Sequence, residues 1–188
     1  MLRPRHPPLL PLRCQRAALT CAALAAAGSS AAAEEALSVG VGWATYSTLG
    51  EPPMPMKTPP TLTPDVGAHL QLSYERSVSR EVSLRGELAG GLFHGPDWTY
   101  AALTDVGVVY RFEVVKYVPY GFAGLGAVAT AGASVEGGLD WVVVLGGGLD
   151  VLSSRERSWG IEGRLASFAG DTTVFTLGLR GTMRWGFF

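Results

Sequence analysis

The run Phe175-Thr176-Leu177-Gly178-Leu179-Arg180-Gly181-Thr182-Met183-Arg184-Trp185-Gly186-Phe187-Phe188, at the C-terminal end of the chain, decides the fold. Phe175, Leu177, Leu179, Met183, Trp185 and Phe187 fall on one phase of a two-residue period; Thr176, Gly178, Arg180, Thr182 and Arg184 fall on the other. A period of two is that of a strand, whose successive side chains point to opposite faces. One face is therefore apolar and aromatic while the other carries arginine. Soluble strands usually run about five or six residues, whereas crossing a bilayer at a tilt takes about 9–11. This run is long enough to cross.

Seven more segments repeat the pattern. Leu37, Val39, Val41 and Trp43 alternate with Ser38, Gly40, Gly42 and Ala44, and Leu70, Leu72 and Tyr74 alternate with His69, Gln71, Ser73 and Glu75. Val82, Leu84, Leu88 and Leu92 stand opposite Ser83, Arg85, Glu87 and Ala89, and Tyr100, Ala102, Val106, Val108, Tyr110 and Phe112 opposite Leu103, Asp105, Gly107 and Arg111. Leu139, Trp141, Val143, Leu145, Leu149 and Val151 oppose Asp140, Gly146, Gly148 and Asp150, while Trp159, Ile161 and Leu165 oppose Glu162 and Arg164. The remaining segment, 117–130, is so rich in Gly and Ala that its facing stays open. Eight segments with short connectors predict an all-β, eight-stranded antiparallel up-and-down barrel.

Two patterns separate a membrane barrel from a soluble sandwich or a lipocalin-like barrel. Threaded upward from a periplasmic start, Tyr74, Tyr110, Phe112, Tyr117, Trp159, Trp185 and Phe187 lie near the lower rim, and Trp43, Trp98, Tyr100, Trp141 and Phe175 near the upper. Two aromatic belts with aliphatic residues between them match the interfacial preference of Trp and Tyr. The charges Glu75, Arg85, Glu87, Asp105, Arg111, Asp140, Asp150, Glu162, Arg164, Arg180 and Arg184 share the opposite phase. Facing lipid they would be costly, so they are expected to line the lumen. A lipocalin has the reverse arrangement.

The N-terminus fits an export signal: Arg3, Arg5, Arg13 and Arg16, an apolar stretch from Ala17 to Ala27, then small residues up to Ala33. That stretch is too short for a membrane-spanning helix. Cleavage after Ala33 is expected to leave residues 34–188 as the barrel. The remainder has 11 basic and 16 acidic residues, a net charge of −5, and neither Cys14 nor Cys21, which excludes disulfides and cysteine-based metal sites. Nothing in this charge distribution suits nucleic acid.

The chain resembles the small outer-membrane β-barrel domain proteins of Gram-negative bacteria, the group that includes the membrane domain of outer-membrane protein A and its eight-stranded relatives. The resemblance rests on the export signal, the eight segments, Pro119-Tyr120-Gly121-Phe122-Ala123-Gly124-Leu125-Gly126, and the terminal aromatics. It implies residence in the cell outer membrane, contact with outer-membrane lipid and lipopolysaccharide, and an assembly signal in Trp185, Phe187 and Phe188 for the barrel-assembly machinery. Here the alternation is in phase with Phe187 rather than Phe188. Such a likeness is specific for architecture and says little about function.

For function, the lumen and the loops are the places to look. An eight-stranded barrel barely holds its own side chains, so six acidic and five basic inward residues are expected to pair into a closed, salt-bridged core. The alternative is a narrow gated ion pore in which Glu87 exchanges arginine partners. The connector 47–65, with six prolines and Met54 and Met56, is either a bare connector or a platform for a surface partner. A lipid A-modifying enzyme is a remote third reading, since His69 and His94 fall on different phases and no nucleophile or carboxylate stands at a persuasive spacing. The glycines of 121–126 have the wrong order for a dinucleotide loop and those of 146–148 precede strand rather than helix, so neither run places a phosphate on a helix N-terminus; they are expected to leave room for inward arginines or to relieve strain where the sheet curves tightly. No cofactor or metal is expected, and no peptidoglycan-binding domain after the last strand.

Overall fold

The computed structural model describes residues 34–48, 65–94, 98–112, 116–132, 138–168 and 172–186. The export signal, most of the proline-rich connector, Phe187 and Phe188 lie outside them. The eight segments form β1 (Glu35–Thr48), β2 (Asp65–Ser77), β3 (Val82–His94), β4 (Trp98–Arg111), β5 (Tyr117–Gly132), β6 (Gly138–Leu152), β7 (Arg157–Phe168) and β8 (Thr172–Trp185). Each pairs antiparallel with the next, and β1 pairs with β8 from Glu35↔Trp185 to Thr48↔Thr172, which closes the barrel. Every strand thus has two neighbours and no ladder is left unpaired, the condition for a sheet to lie in lipid.

The strands run 12 to 16 residues, enough to cross a bilayer at a tilt. One end of the barrel holds the start of β1 and the turns at 78–81 and 153–156, where Ser79 Oγ and Ser154 Oγ accept from the backbone N–H groups of Val82 and Arg157. We call it the turn end, and the opposite end the loop end.

The pleat sorts the side chains as the alternation requires. Leu70, Leu88, Leu125, Leu145, Ile161 and Leu179 are exposed on the outside, whereas Glu75, Arg85 and Glu87 are buried inside. The outer surface is the more apolar, the inverse of a soluble protein. β5 acquires a definite facing: Tyr120, Phe122, Val128 and Thr130 point inward, Tyr117 and Leu125 outward. The cause lies on β6, where Tyr120 pairs with Gly148 and Phe122 with Gly146. A Cβ at Gly146 would collide with the Phe122 ring, and one at Gly148 with the Tyr120 ring. These glycines therefore make room for two aromatic rings, not for the arginines expected from the sequence.

The interior is also divided by height. Charges fill the turn half, but Ala44, Tyr46, Phe93, Val128, Val142, Val144, Ala166 and Phe168 are buried in the loop half. The sequence predicts a closed, salt-bridged polar lumen, and the loop half departs from it because its inward side chains are apolar. Val142 and Val144 sit inward in the run Trp141-Val142-Val143-Val144-Leu145, where a mutually packed apolar patch tolerates aliphatic residues on both phases.

An arginine at Leu125, midway along β5 and 67% exposed, separates lipid from water as the outer solvent. Leu125→Arg is expected to cost about 2–4 kcal/mol of folding stability in lipid vesicles, measured by urea unfolding, whereas on a water-facing surface it would be nearly neutral.

Candidate functional site

The turn half of the lumen is held by one alternating chain of ions. It runs Arg111, Glu75, Arg180, Glu162, Arg85, Glu87, Arg164, each side chain paired with the next. Residues on five of the eight strands take part, so no local segment specifies it. The chain begins and ends on arginine, with four guanidinium groups against three carboxylates.

Glu162 is its hub. Arg85 binds it with both terminal nitrogens at 3.0 Å, and Arg180 Nη1 donates at 2.9 Å. Gln71 Nε2 at 2.7 Å and the Tyr120 hydroxyl at 2.8 Å complete five donors to one carboxylate. Charge-assisted, partly bidentate bonds of this kind are the strong class, and they offset the cost of burying the ions. Arg180 Nη2 reaches Glu75 at 2.6 Å and its Nε donates to Thr182 Oγ1 at 3.1 Å.

Aromatic faces cover the guanidinium groups. Arg85 lies 4.3 Å over the Phe122 ring and Arg180 4.9 Å over the Tyr120 ring, both within cation–π range. The two rings stack on each other with centroids 6.4 Å apart. The inward rings of β5 thus meet arginines of β3 and β8 across the lumen.

The other inward charges stand outside this chain. Arg184 pairs with Asp150 at 3.1 Å and Glu34 at 3.5 Å near the turn end. Asp105 is buried beside Glu87 across the β3–β4 ladder, with no ion pair among the described residues and no partner for Oδ2. Asp140 is half-buried at the loop end of β6 and also joins no ion pair among the described residues.

The rim aromatics lie on the outer face. Trp43, Tyr74, Trp98, Tyr100, Tyr110, Tyr117, Trp141 and Trp159 are exposed, as are Phe112 and Trp185, while Phe175 is half-buried with its ring edge-on to Trp43 at 6.0 Å. Tyr110 donates to Glu81 and Trp185 Nε1 to Glu35, at 2.8 and 2.7 Å. Apolar rings with polar tips turned to the rim suit a membrane interface. Of the assembly signal only Trp185 is described. His69 and His94 point to opposite sides of the wall, His69 buried inside and His94 exposed and packed on Trp98 at 4.6 Å. Among the described residues no cluster of His, Cys, Asp or Glu has the makings of a metal site.

The sequence pattern missed Gln71, Tyr120 and Phe122. Gln71 carried a signal in its inward phase; the two aromatics carried none, because β5 offers aromatics on both phases.

Solved structures supply the comparison. The fold is that of a small outer-membrane barrel. Neisserial surface protein A matches with a TM-score of 0.60 at 10% identity, over 82% of this chain and 97% of that one. The attachment invasion locus protein Ail of Yersinia pestis matches with 0.54 at 17%, over 81% and 99%. The outer-membrane enzyme PagL matches with 0.50 at 16%, over 79% and 98%. No family model and no curated protein sequence matches. One barrel plan thus carries both an enzyme and proteins named for the cell surface, so the fold leaves activity open.

Removing the hub takes from each of two buried arginines one of its two carboxylates. Glu162→Ala is expected to lower folding stability by about 3–5 kcal/mol, with Glu162→Gln between it and the parent. Urea unfolding monitored by tryptophan fluorescence reads this directly. A loss below about 1 kcal/mol would mean that the ion chain is incidental to the fold.

Proposed function

We propose that the protein is an integral outer-membrane barrel with a closed, non-conducting lumen, acting at the cell surface through its loop end. The observation that carries this reading is the seven-ion chain, which crosses the lumen together with the Tyr120 and Phe122 rings. An eight-stranded barrel has little width to spare, and these side chains occupy it. The apolar outer face supports residence in lipid, with lipopolysaccharide and phospholipid as neighbours and the barrel-assembly machinery as the agent of insertion. The connector 47–65 is the first place to seek a surface partner, since it is the longest of the connectors. Ail and the neisserial protein, named for attachment and for the surface, are in keeping with such a role.

One observation favours a gated pore as the second reading. Glu87 touches both Arg85 and Arg164, the geometry from which a carboxylate exchanges partners. The chain's other contacts weigh against it: Arg85 stays anchored by Glu162 whichever way Glu87 turns. Lipid A chemistry has less support, because the two histidines stand on opposite faces of the wall.

Protein purified from outer membranes and placed in planar lipid bilayers is expected to be silent, with heat-dependent gel mobility showing that it is folded. Discrete openings that change in a Glu87→Ala variant would replace the closed lumen with a gated one. A change in lipid A mass on expression would replace it with an enzyme.

A further inference from the structure

Directly above the ion chain, the loop half of the lumen holds a cavity of about 30 Å³. Its wall is mostly carbon, from Phe93, Leu103, Val128, Ala166, Phe168 and Val174 among others. Two nitrogen-bearing side chains, Arg164 and His69, also line it, and both are more than nine-tenths buried. Arg164 Nε and His69 Nδ1 have no hydrogen-bond partner. The imidazole is seated by Gly178, where a Cβ would stand 3.0 Å from His69 Cε1.

Charge gives this pair a meaning. Arg180 and Arg85 each lie between two carboxylates, and Arg111 reaches toward the turn end. Arg164, the upper end of the chain, has only Glu87, which it shares with Arg85. The surplus positive charge of the chain therefore sits beside the cavity. Asp105, the other buried carboxylate nearby, makes no ion pair among the described residues and does not line the cavity.

We propose that this cavity binds one small monovalent anion of halide size. The volume admits a single occupant about as large as a water molecule. A water would leave Arg164 with only the carboxylate of Glu87, which it shares with Arg85. A halide supplies that charge, accepts from Arg164 Nε, and has no proton of its own to satisfy among carbon walls. Polyatomic anions such as sulfate or gluconate are too large. The site is thus a structural anion site that completes the ion chain at its upper end.

The test is thermal unfolding of protein purified from outer membranes in detergent, at constant ionic strength, with sodium gluconate replaced stepwise by sodium chloride or bromide. The expected result is a saturable rise in midpoint of about 3 °C in either halide. Ala166→Leu fills the cavity without touching the ion chain and is expected to abolish the rise, as is Arg164→Met. Equal midpoints in chloride and gluconate, or an undiminished rise in Ala166→Leu, would overturn the proposal. Should neither variant fold, crystals grown in bromide decide: an anomalous peak between Arg164 and His69 supports the site, and its absence overturns it.

Discussion

Every backbone N–H and C=O that enters a bilayer must find its partner within the protein, and the closed ladder from β1 round to β8 is how this chain meets that demand. Closure sets everything else. It gives each strand one face to lipid and one to a narrow interior, so lipid-facing and inward side chains must alternate for 12 residues or more in every strand. It also means that whatever lies inside must be satisfied there, since the wall admits little water.

The interior meets this second demand in two ways, divided by height. In the turn half, carboxylates and guanidinium groups from distant strands alternate, and aromatic faces cover the arginines. In the loop half, aliphatic and aromatic side chains pack against one another. The boundary falls at His69 and Arg164, where buried polar groups meet an apolar wall with nitrogens unpartnered. Such a boundary is where a ligand or an ion has most to offer, because it removes a mismatch that the chain does not resolve with its own residues.

Architecture was legible from the alternation because it is a local signal, repeated eight times. Leu177, Leu179 and Met183 against Arg180, Thr182 and Arg184 declare their faces without knowledge of any other strand. The facing of β5 was not legible, since Gly and Ala suit either solvent and the decision belongs to Gly146 and Gly148 on β6. The apolar half of the lumen was hidden for a related reason. Val142, Val144 and Phe168 look lipid-facing by type and sit inside only because other inward apolar residues surround them. The inward charges were visible as a set, but their pairing order depends on register across five strands. Glu162 as hub, Gln71 and Tyr120 as its donors, and the exclusion of Asp105 from the ion chain are properties of that register alone.

The central claim is that this barrel is a solid wall around a closed interior, and β5 is the strand on which to test it, because it carries none of the ion chain. Nitroxide labels placed singly from Val118 to Thr130 of the protein in lipid bilayers report collision with oxygen, which favours lipid, and with a water-soluble nickel chelate. A closed interior predicts oxygen access at Ala123, Leu125, Ala127 and Ala129, and access to neither reagent at Phe122, Gly124 and Val128. Nickel access at those inward positions would contradict it and show a continuous aqueous path through the barrel.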